Sequence, residues 1–349
     1  MQKPTLYRHP QKGVEGKIDN FYTLGLESSC DETGVGIVKG KDNIVANKIY
    51  SQADLHEKYG GVVPEIASRN HLKKFSPLIK EALDEAGISL RQVNLVASTY
   101  GPGLVGPLLV GLSLGKSLSY ALEVPFLGIN HLEGHIFAHY STLQSNPPFL
   151  ALLVSGGHTS LALVKDWGKY KELGSTRDDA AGEAFDKVGY MTELGYPAGP
   201  KIDRLSKDGN PTAFDFPRPM LEKGLDFSFA GLKSAVAREV EKGESYELAD
   251  LLASFQEAVL DTLIAKAIRG AKKTDVTTIS VMGGVSANSR LRSRMTEKAE
   301  EHGLSAVFPP FELCTDNGAM IGIAAAYKYL ENEERSPLTL GPEPSLRLG

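Results

Sequence analysis

One pattern occurs twice in this chain, and that repetition limits the folds it can adopt more than any other feature. Thr33-Gly34-Val35-Gly36-Ile37-Val38-Lys39 and Thr159-Ser160-Leu161-Ala162-Leu163-Val164-Lys165 share the order Thr, any residue, apolar, small, apolar, Val, Lys. The first copy follows Tyr22 to Glu27 and the turn Ser28-Ser29-Cys30-Asp31-Glu32, and the second follows the apolar run Phe149 to Val154 and the turn Ser155-Gly156-Gly157-His158. Period-two alternation across such turns predicts a β-hairpin at the head of each copy. The continuations are alike as well. After the first hairpin come an expected helix over Ala67 to Ala86, a buried strand over Asn94 to Thr99, the turn Tyr100-Gly101-Pro102-Gly103 and a Gly/Ser/Leu helix ending near Leu122. The second copy closes with a strand over Thr278 to Met282, the turn Gly283-Gly284-Val285 and a basic helix from Asn288 to His302. This duplication predicts two related α/β lobes with a cleft between them, in which two Gly-rich turns can grip opposite ends of a nucleotide. The expected division is a polar tail over 1–20, a first lobe over 21–148, a second over 149–335 and a Pro/Leu tail over 336–349.

Between the two copies, a short strand over Pro125 to Ile129 leads into His131-Leu132-Glu133-Gly134-His135. Histidines at i and i+4 of a helix share one face, which is a metal-ligand geometry; satisfied core or surface histidines give the same spacing. His139 extends that face and can substitute for either. The Ser155-Gly156-Gly157 turn suits close approach of backbone N–H groups to an anion, or simply a tight hairpin.

At 349 residues, with 42% hydrophobic and 23% charged residues, the chain is long enough for two domains and argues against disorder. Cys30 and Cys314 lie far apart in sequence, which speaks against a disulfide framework and for a reducing compartment, so the cytoplasm is expected. Lys3, Arg8 and Lys12 precede no apolar segment, and the apolar stretch Leu104 to Leu118 is interrupted by Gly, Ser and Lys116, so neither a signal peptide nor a membrane span is expected. A net charge of −5 offers nucleic acid no global attraction, so RNA would be met by local patches or by a partner. Candidate patches are Arg69, Lys73 and Lys74, and a helical stripe of Arg290, Arg294 and Lys298; a solvated helix face is the alternative for both.

Several segments together resemble one family. They are Glu27-Ser28-Ser29-Cys30-Asp31-Glu32-Thr33, Tyr59-Gly60-Gly61-Val62-Val63-Pro64-Glu65, Gly101-Pro102-Gly103-Leu104, His131 to His135, Gly182-Glu183-Ala184-Phe185-Asp186-Lys187 and Asp226-Phe227-Ser228-Phe229. With the two Gly-rich turns and Cys314-Thr315-Asp316-Asn317-Gly318, they resemble the universal tRNA N6-adenosine threonylcarbamoyltransferase family from about Tyr22 to Leu330.

The resemblance implies an actin-like, sugar-kinase-like ATPase fold of two ribonuclease-H-like lobes. It implies transfer of a threonylcarbamoyl group from threonylcarbamoyl-AMP to the N6 amine of adenosine 37 in tRNAs that read codons beginning with A, with AMP released. It implies His131, His135 and Asp316 as ligands of one divalent metal, Fe(2+) first and Zn(2+) second. Leu153, Val154, Ser155, Gly156, Gly157, Asp186, Gly199, Asp203 and Asn288 would line the site for threonylcarbamoyl-AMP, ATP or AMP. Read from pattern alone, Asp186 and Asp203 are equally loop carboxylates facing water, and Asn288 or Ser286 equally a helix N-cap. Asp31 is nominated as proton acceptor or amine orienter, with Glu183 as a second candidate and an ordinary turn Asp as the alternative. Implied partners are tRNA, a shortened inactive paralogue in a heterodimer, a small P-loop ATPase and the upstream synthase that makes threonylcarbamoyl-AMP.

Two other activities share parts of this pattern. A metalloprotease needs a glutamate beside the first histidine, whereas Glu133 stands two residues on, about 200° around the helix. A sugar kinase or simple ATPase explains the Gly-rich turns and leaves the histidines and Asp316 without a purpose.

Overall fold

The computed structural model describes residues 20–140, 146–242 and 246–349; the expected N-terminal tail lies almost entirely outside the described residues. The first lobe holds β1 (Tyr22–Glu27), β2 (Glu32–Lys39), β3 (Asn43–Ser51), α1 (Ala53–Glu57), α2 (Pro64–Ala86), β4 (Val93–Gly101), α3 (Val105–Leu122), β5 (Phe126–Asn130) and α4 (His131–Phe137). The second holds β6 (Phe149–Val154), β7 (Thr159–Asp166), β8 (Lys169–Ser175), α5 (Ala181–Met191), α6 (Gly199–Leu205), α7 (Ala230–Glu241), α8 (Leu248–Thr274), β9 (Thr278–Met282), α9 (Ser289–Glu301) and β10 (Ser305–Val307). The last helix is α10 (Gly318–Asn332).

The repeated sequence pattern gives repeated topology. One sheet runs β3-β2-β1-β4-β5 and the other β8-β7-β6-β9-β10. In each, the first three strands pair antiparallel and the last two add parallel to the first. The shared motif is in register with its hairpin partner both times: Val38 faces Thr23 in one sheet and Val164 faces Phe149 in the other. β6 and β9 are buried along their whole length, as continuous apolar runs in a sheet covered on both faces must be.

Helix α2 starts three residues before the expected Ala67, at Pro64, whose fixed φ suits a first helical position, and it ends on left-handed Gly87 (φ 64°). Helix α3 has the length and composition of a membrane span, yet its Pro107, Leu108, Gly111, Leu112 and Gly115 are buried in contact with β4 and α2. The glycines that interrupt its apolar run are packing positions: a Cβ on Gly111 would lie 2.3 Å from Ser28 Oγ.

The last helix departs from the expected division. Helix α10, counted from sequence with the second lobe, packs on β1 and β2 of the first. Three glycines make this approach available. A Cβ on Gly25 would stand 2.2 Å from Gly318 O, one on Gly36 2.2 Å from Ala319 N, and one on Gly34 2.6 Å from Gly318 N. Such contacts between distant segments leave no local trace in sequence.

The Pro/Leu tail is an ordered strap along the first lobe. Ser336 N donates to Phe126 O, Glu343 N to Tyr100 O, Gly103 N to Pro344 O and Lys116 Nζ to Leu340 O. It ends against α4: Asn130 Nδ2 donates to Arg347 O at 2.9 Å, and Leu348 packs with Leu132, Ile136 and Phe149.

Candidate metal centre

Asn130 starts α4 by accepting from Leu132 N at 2.8 Å, which satisfies one of the amides left unpaired at a helix start. The helix then presents Leu132 and Ile136 to the second sheet and His131 and His135 to a neighbouring face, about 100° round the helix. Gly134 lets α10 lie alongside, since a Cβ there would come within 2.8 Å of Ile321 Cδ1. The same docking of α10 carries Asp316, just ahead of its N-cap Asn317, to the histidines.

Asp316 Oδ1 lies 3.1 Å from His135 Nε2 and 3.5 Å from His131 Nε2, and the three groups offer ligand atoms that all lie within 4.8 Å of one another. The two imidazoles meet edge to face with centroids 4.7 Å apart. Behind His131, the Nδ1 lies 3.2 Å from Glu27 Oε2 and 3.2 Å from Ser29 Oγ. Glu27 is fully buried and also accepts from Thr99 Oγ1 and Ser29 N. A carboxylate behind a ligating imidazole fixes the ring and leaves Nε2 free for the metal.

Electrostatics follow this geometry. Burial opposes charge on His131, but Asp316 and Glu27 outweigh it and hold the imidazolium up to about 9. Burial likewise raises Asp316 and Glu27, yet attraction to His131 leaves both below the ordinary carboxylate range. Two borderline nitrogen donors and one oxygen gathered this closely suit a divalent transition metal.

His139 does not belong to this set. The helix ends at Phe137, so the face extrapolated from His131 and His135 is not continued. Burial pushes His139 down to about 3, against a hydrogen bond with the backbone of Val281. His158 approaches from the other lobe: its ring centroid is 6.3 Å from that of His131, and burial followed by His131 lowers it to about 4. Neither Glu27 nor His158 was assigned a role from sequence. A glutamate closing an otherwise apolar strand was the available signal for the first.

Leading into His158, Ser155, Gly156 and Gly157 form a tight turn in which Ser155 N donates to His158 O at 2.8 Å and His158 N to Ser155 Oγ at 3.1 Å. A Cβ on Gly156 or Gly157 would meet nothing within 4 Å, so this backbone is open. Gly182 at the start of α5 stacks directly on the turn, where a Cβ would be 2.6 Å from Ser155 O. Leu153 and Val154 bury their side chains in the sheet, which leaves only their backbone to a ligand.

The remaining second-lobe candidates form one chain of helix caps. Asp186 Oδ1 accepts from Ala198 N at 2.8 Å, at the start of α6 and next to Gly199; burial raises its carboxyl to about 6. Asp203, on α6, accepts from Ser289 N and Oγ at 3.1 and 3.0 Å. Asn288 caps α9 through Leu291 N at 2.8 Å and donates to Gln256 Oε1 at 2.7 Å. Capping is therefore realised at Asn288, and the structure joins Asp186, Gly199, Asp203 and Asn288 through α6.

Asp31 is buried, and its Oδ2 accepts from Tyr196 Oη of the second lobe at 3.2 Å. Glu183 is tied to its own helix by Lys187 at 2.7 Å. Cys30 and Cys314 are free thiols. The basic stripe is consumed within the fold: Arg290 pairs with Glu257, Arg294 with Glu257 and Asp261, and Lys298 with Glu301. Arg69 pairs with Glu65, and Lys74 lies 4.0 Å over the Tyr50 ring.

A family model described as tRNA N6-adenosine threonylcarbamoyltransferase matches residues 43–323. The protein of that name from Clostridioides difficile (strain 630) is 47% identical over 337 residues, 95% of this chain and 99% of the relative. The chain belongs to the tRNA N6-adenosine threonylcarbamoyltransferase family. A relative from Gloeothece citriformis is 52% identical, over 93% of this chain and 96% of its own. Among solved structures, full-length HypF in a phosphate- and nucleotide-bound form superposes at a TM-score of 0.61 with 13% identity, over 90% of this chain and 47% of that one. The activator of 2-hydroxyisocaproyl-CoA dehydratase from Clostridium difficile, with bound ADPNP, gives 0.54 with 13% identity, over 90% and 97%. These likenesses establish the fold, and this threonylcarbamoyltransferase-family chain has the two-lobed actin-like ATPase architecture.

Proposed function

We propose that the chain transfers a threonylcarbamoyl group from threonylcarbamoyl-AMP to N6 of adenosine 37 in tRNAs reading codons that begin with A. The N6 nitrogen bonds to the carbamoyl carbon, the bond from that carbon to the AMP phosphate oxygen breaks, and the amine proton leaves with AMP or solvent. The donor is already activated, so the chain needs no Ser or Cys nucleophile; it must align an amine with a carbonyl and stabilise negative charge. The observation that carries this reading is the meeting of His131, His135 and Asp316, with His158, which follows the Gly156-Gly157 turn, 6.3 Å from the His131 ring.

In this reading His131, His135 and Asp316 hold one metal, Fe(2+) in preference to Zn(2+), which supplies a Lewis acid for donor oxygens. Glu27 fixes the His131 ring. The amides of Gly156 and Gly157, in the turn that Leu153, Val154 and Ser155 lead into, face the phosphate or carbamoyl oxygens. Asp186, Asp203, Gly199 and Asn288 receive the nucleoside, with the carboxylates suited to ribose hydroxyls. Asp31, reached across the cleft by Tyr196, orients the incoming amine. The proposed partners are tRNA, the shortened paralogue, a small P-loop ATPase and the threonylcarbamoyl-AMP synthase, with the cytoplasm as compartment. Proteolysis is disfavoured because Glu133 is held away from the ligands by Tyr170 and Lys328.

Reconstitution with tRNA, threonine, bicarbonate, ATP and the partner proteins, followed by nucleoside mass spectrometry, tests the proposal. His131→Ala and Asp316→Ala are expected to lose product. Wild-type yield from either would remove the metal role, and phosphate release without tRNA would favour a simple ATPase.

A further inference from the structure

Glu133 lies between the two histidines in sequence and faces away from them in space, yet it is only 4% exposed. A buried carboxylate is costly unless both oxygens find partners. Here they do: Tyr170 Oη donates to Oε1 at 3.0 Å and Lys328 Nζ to Oε2 at 3.1 Å. The three residues come from three separate elements, α4, β8 of the second lobe and α10. Each anchor is itself secured, since Tyr170 Oη accepts from Gly168 N at 3.2 Å and Lys328 Nζ reaches Glu334 at 3.3 Å. Burial, reinforced by Glu133, pushes the Tyr170 hydroxyl far above its ordinary range, so it stays a donor.

Helix α4 spans seven residues, well below the length at which an isolated helix holds its own shape. Its rotation is therefore set by its contacts. Away from the ligands those are Leu132 and Ile136 against the second sheet, Glu133 with its two anchors, and the strap residues Arg347 and Leu348.

We propose that Glu133 is a positioning residue: clamped between Tyr170 of the second lobe and Lys328 of α10, it fixes the rotation of α4 and so conveys the relative position of the two lobes to His131 and His135. This rests on the reading of His131, His135 and Asp316 as metal ligands. Groups that orient ligands indirectly change metal affinity about tenfold or more when removed.

The test uses the full chain, prepared metal-free, titrated with Co(2+) against a competing chelator and followed by its visible absorption bands, alongside thermal unfolding of the metal-free protein. Tyr170→Phe and Glu133→Gln are each expected to weaken Co(2+) binding about tenfold and to alter the bands. The double variant Tyr170→Phe/Glu133→Gln is expected to bind less weakly than the two single losses predict together, because both act on one link. Should Glu133→Gln not fold, Tyr170→Phe, which removes a single oxygen atom, carries the test. His135→Ala separates the two layers of inference. If it binds Co(2+) like wild type, the metal-site reading fails. If it loses binding while Tyr170→Phe and Glu133→Gln keep wild-type affinity and bands, the positioning role is overturned, and a lowered melting temperature alone would leave Glu133 a structural ion pair.

Discussion

Glu27 Oε2 lies 3.2 Å behind His131 Nδ1, on the side of the ring opposite the Nε2 that faces Asp316. Glu27→Gln keeps the shape of this contact and removes its charge. Metal affinity is expected to fall 10- to 100-fold, measured by chelator competition, with little change in the fold by circular dichroism. Unchanged affinity would mean that Ser29 alone suffices to hold the ring.

Gly36→Ala is expected to cost about 2 kcal/mol or more, because the new methyl group would stand 2.2 Å from Ala319 N and neither backbone can yield cheaply. Since α10 also sets Asp316, metal affinity is expected to fall with stability. Denaturant unfolding and metal titration of the same sample check both, and a variant as stable as wild type would show that α10 does not sit this close.

Two buried groups give pH effects of opposite sign. Asp186 is raised from 3.8 to about 6, so its protonated form favours the folded state below 3.8 and that advantage is lost as pH rises through 6. Asp186→Asn is therefore expected to gain stability relative to wild type between pH 4 and 7. His139 is lowered from 6.5 to about 3, so its neutral form supports the fold above 6.5 and that support is lost as pH falls. His139→Gln is expected to flatten the acid side of the wild-type curve. Melting temperatures across pH 4 to 8 decide both, and differences that do not vary with pH would refute the assignments.

Arg294→Ala is expected to lower stability by about 2 kcal/mol, since its guanidinium joins Glu257 and Asp261 on α8. The KM for tRNA is expected to stay within about twofold, because a charge pair already formed inside the protein releases little counterion on RNA binding. A large KM effect with normal stability would restore the stripe as an RNA contact.

How much of this was readable in advance depended on the range of each interaction. The paired hairpins were readable because alternation and turn residues act within a few positions, and the strand order then repeats in both sheets. Asn288 was readable as a helix cap for the same reason. The pairing of Arg290 and Arg294 could not be read locally, because Glu257 and Asp261 lie more than thirty residues earlier on another helix. His139 misled because α4 stops at Phe137, a boundary that the i, i+4 spacing of the histidines does not encode. The return of α10 to the first lobe depends on Gly25, Gly34 and Gly36 meeting Gly318 and Ala319, and no pattern within either segment announces the other.

That return has a consequence for biosynthesis. His135 and Asp316 are 181 residues apart, and Asp316 arrives with the helix that completes the first lobe. On the ribosome the histidine pair would emerge long before its carboxylate, so the nascent chain carries an unfinished lobe until the other half has been translated. In the proposed metal reading, the ligand set is complete only once residue 316 has been translated and α10 has docked on the first lobe, so an ion would be loaded late in synthesis.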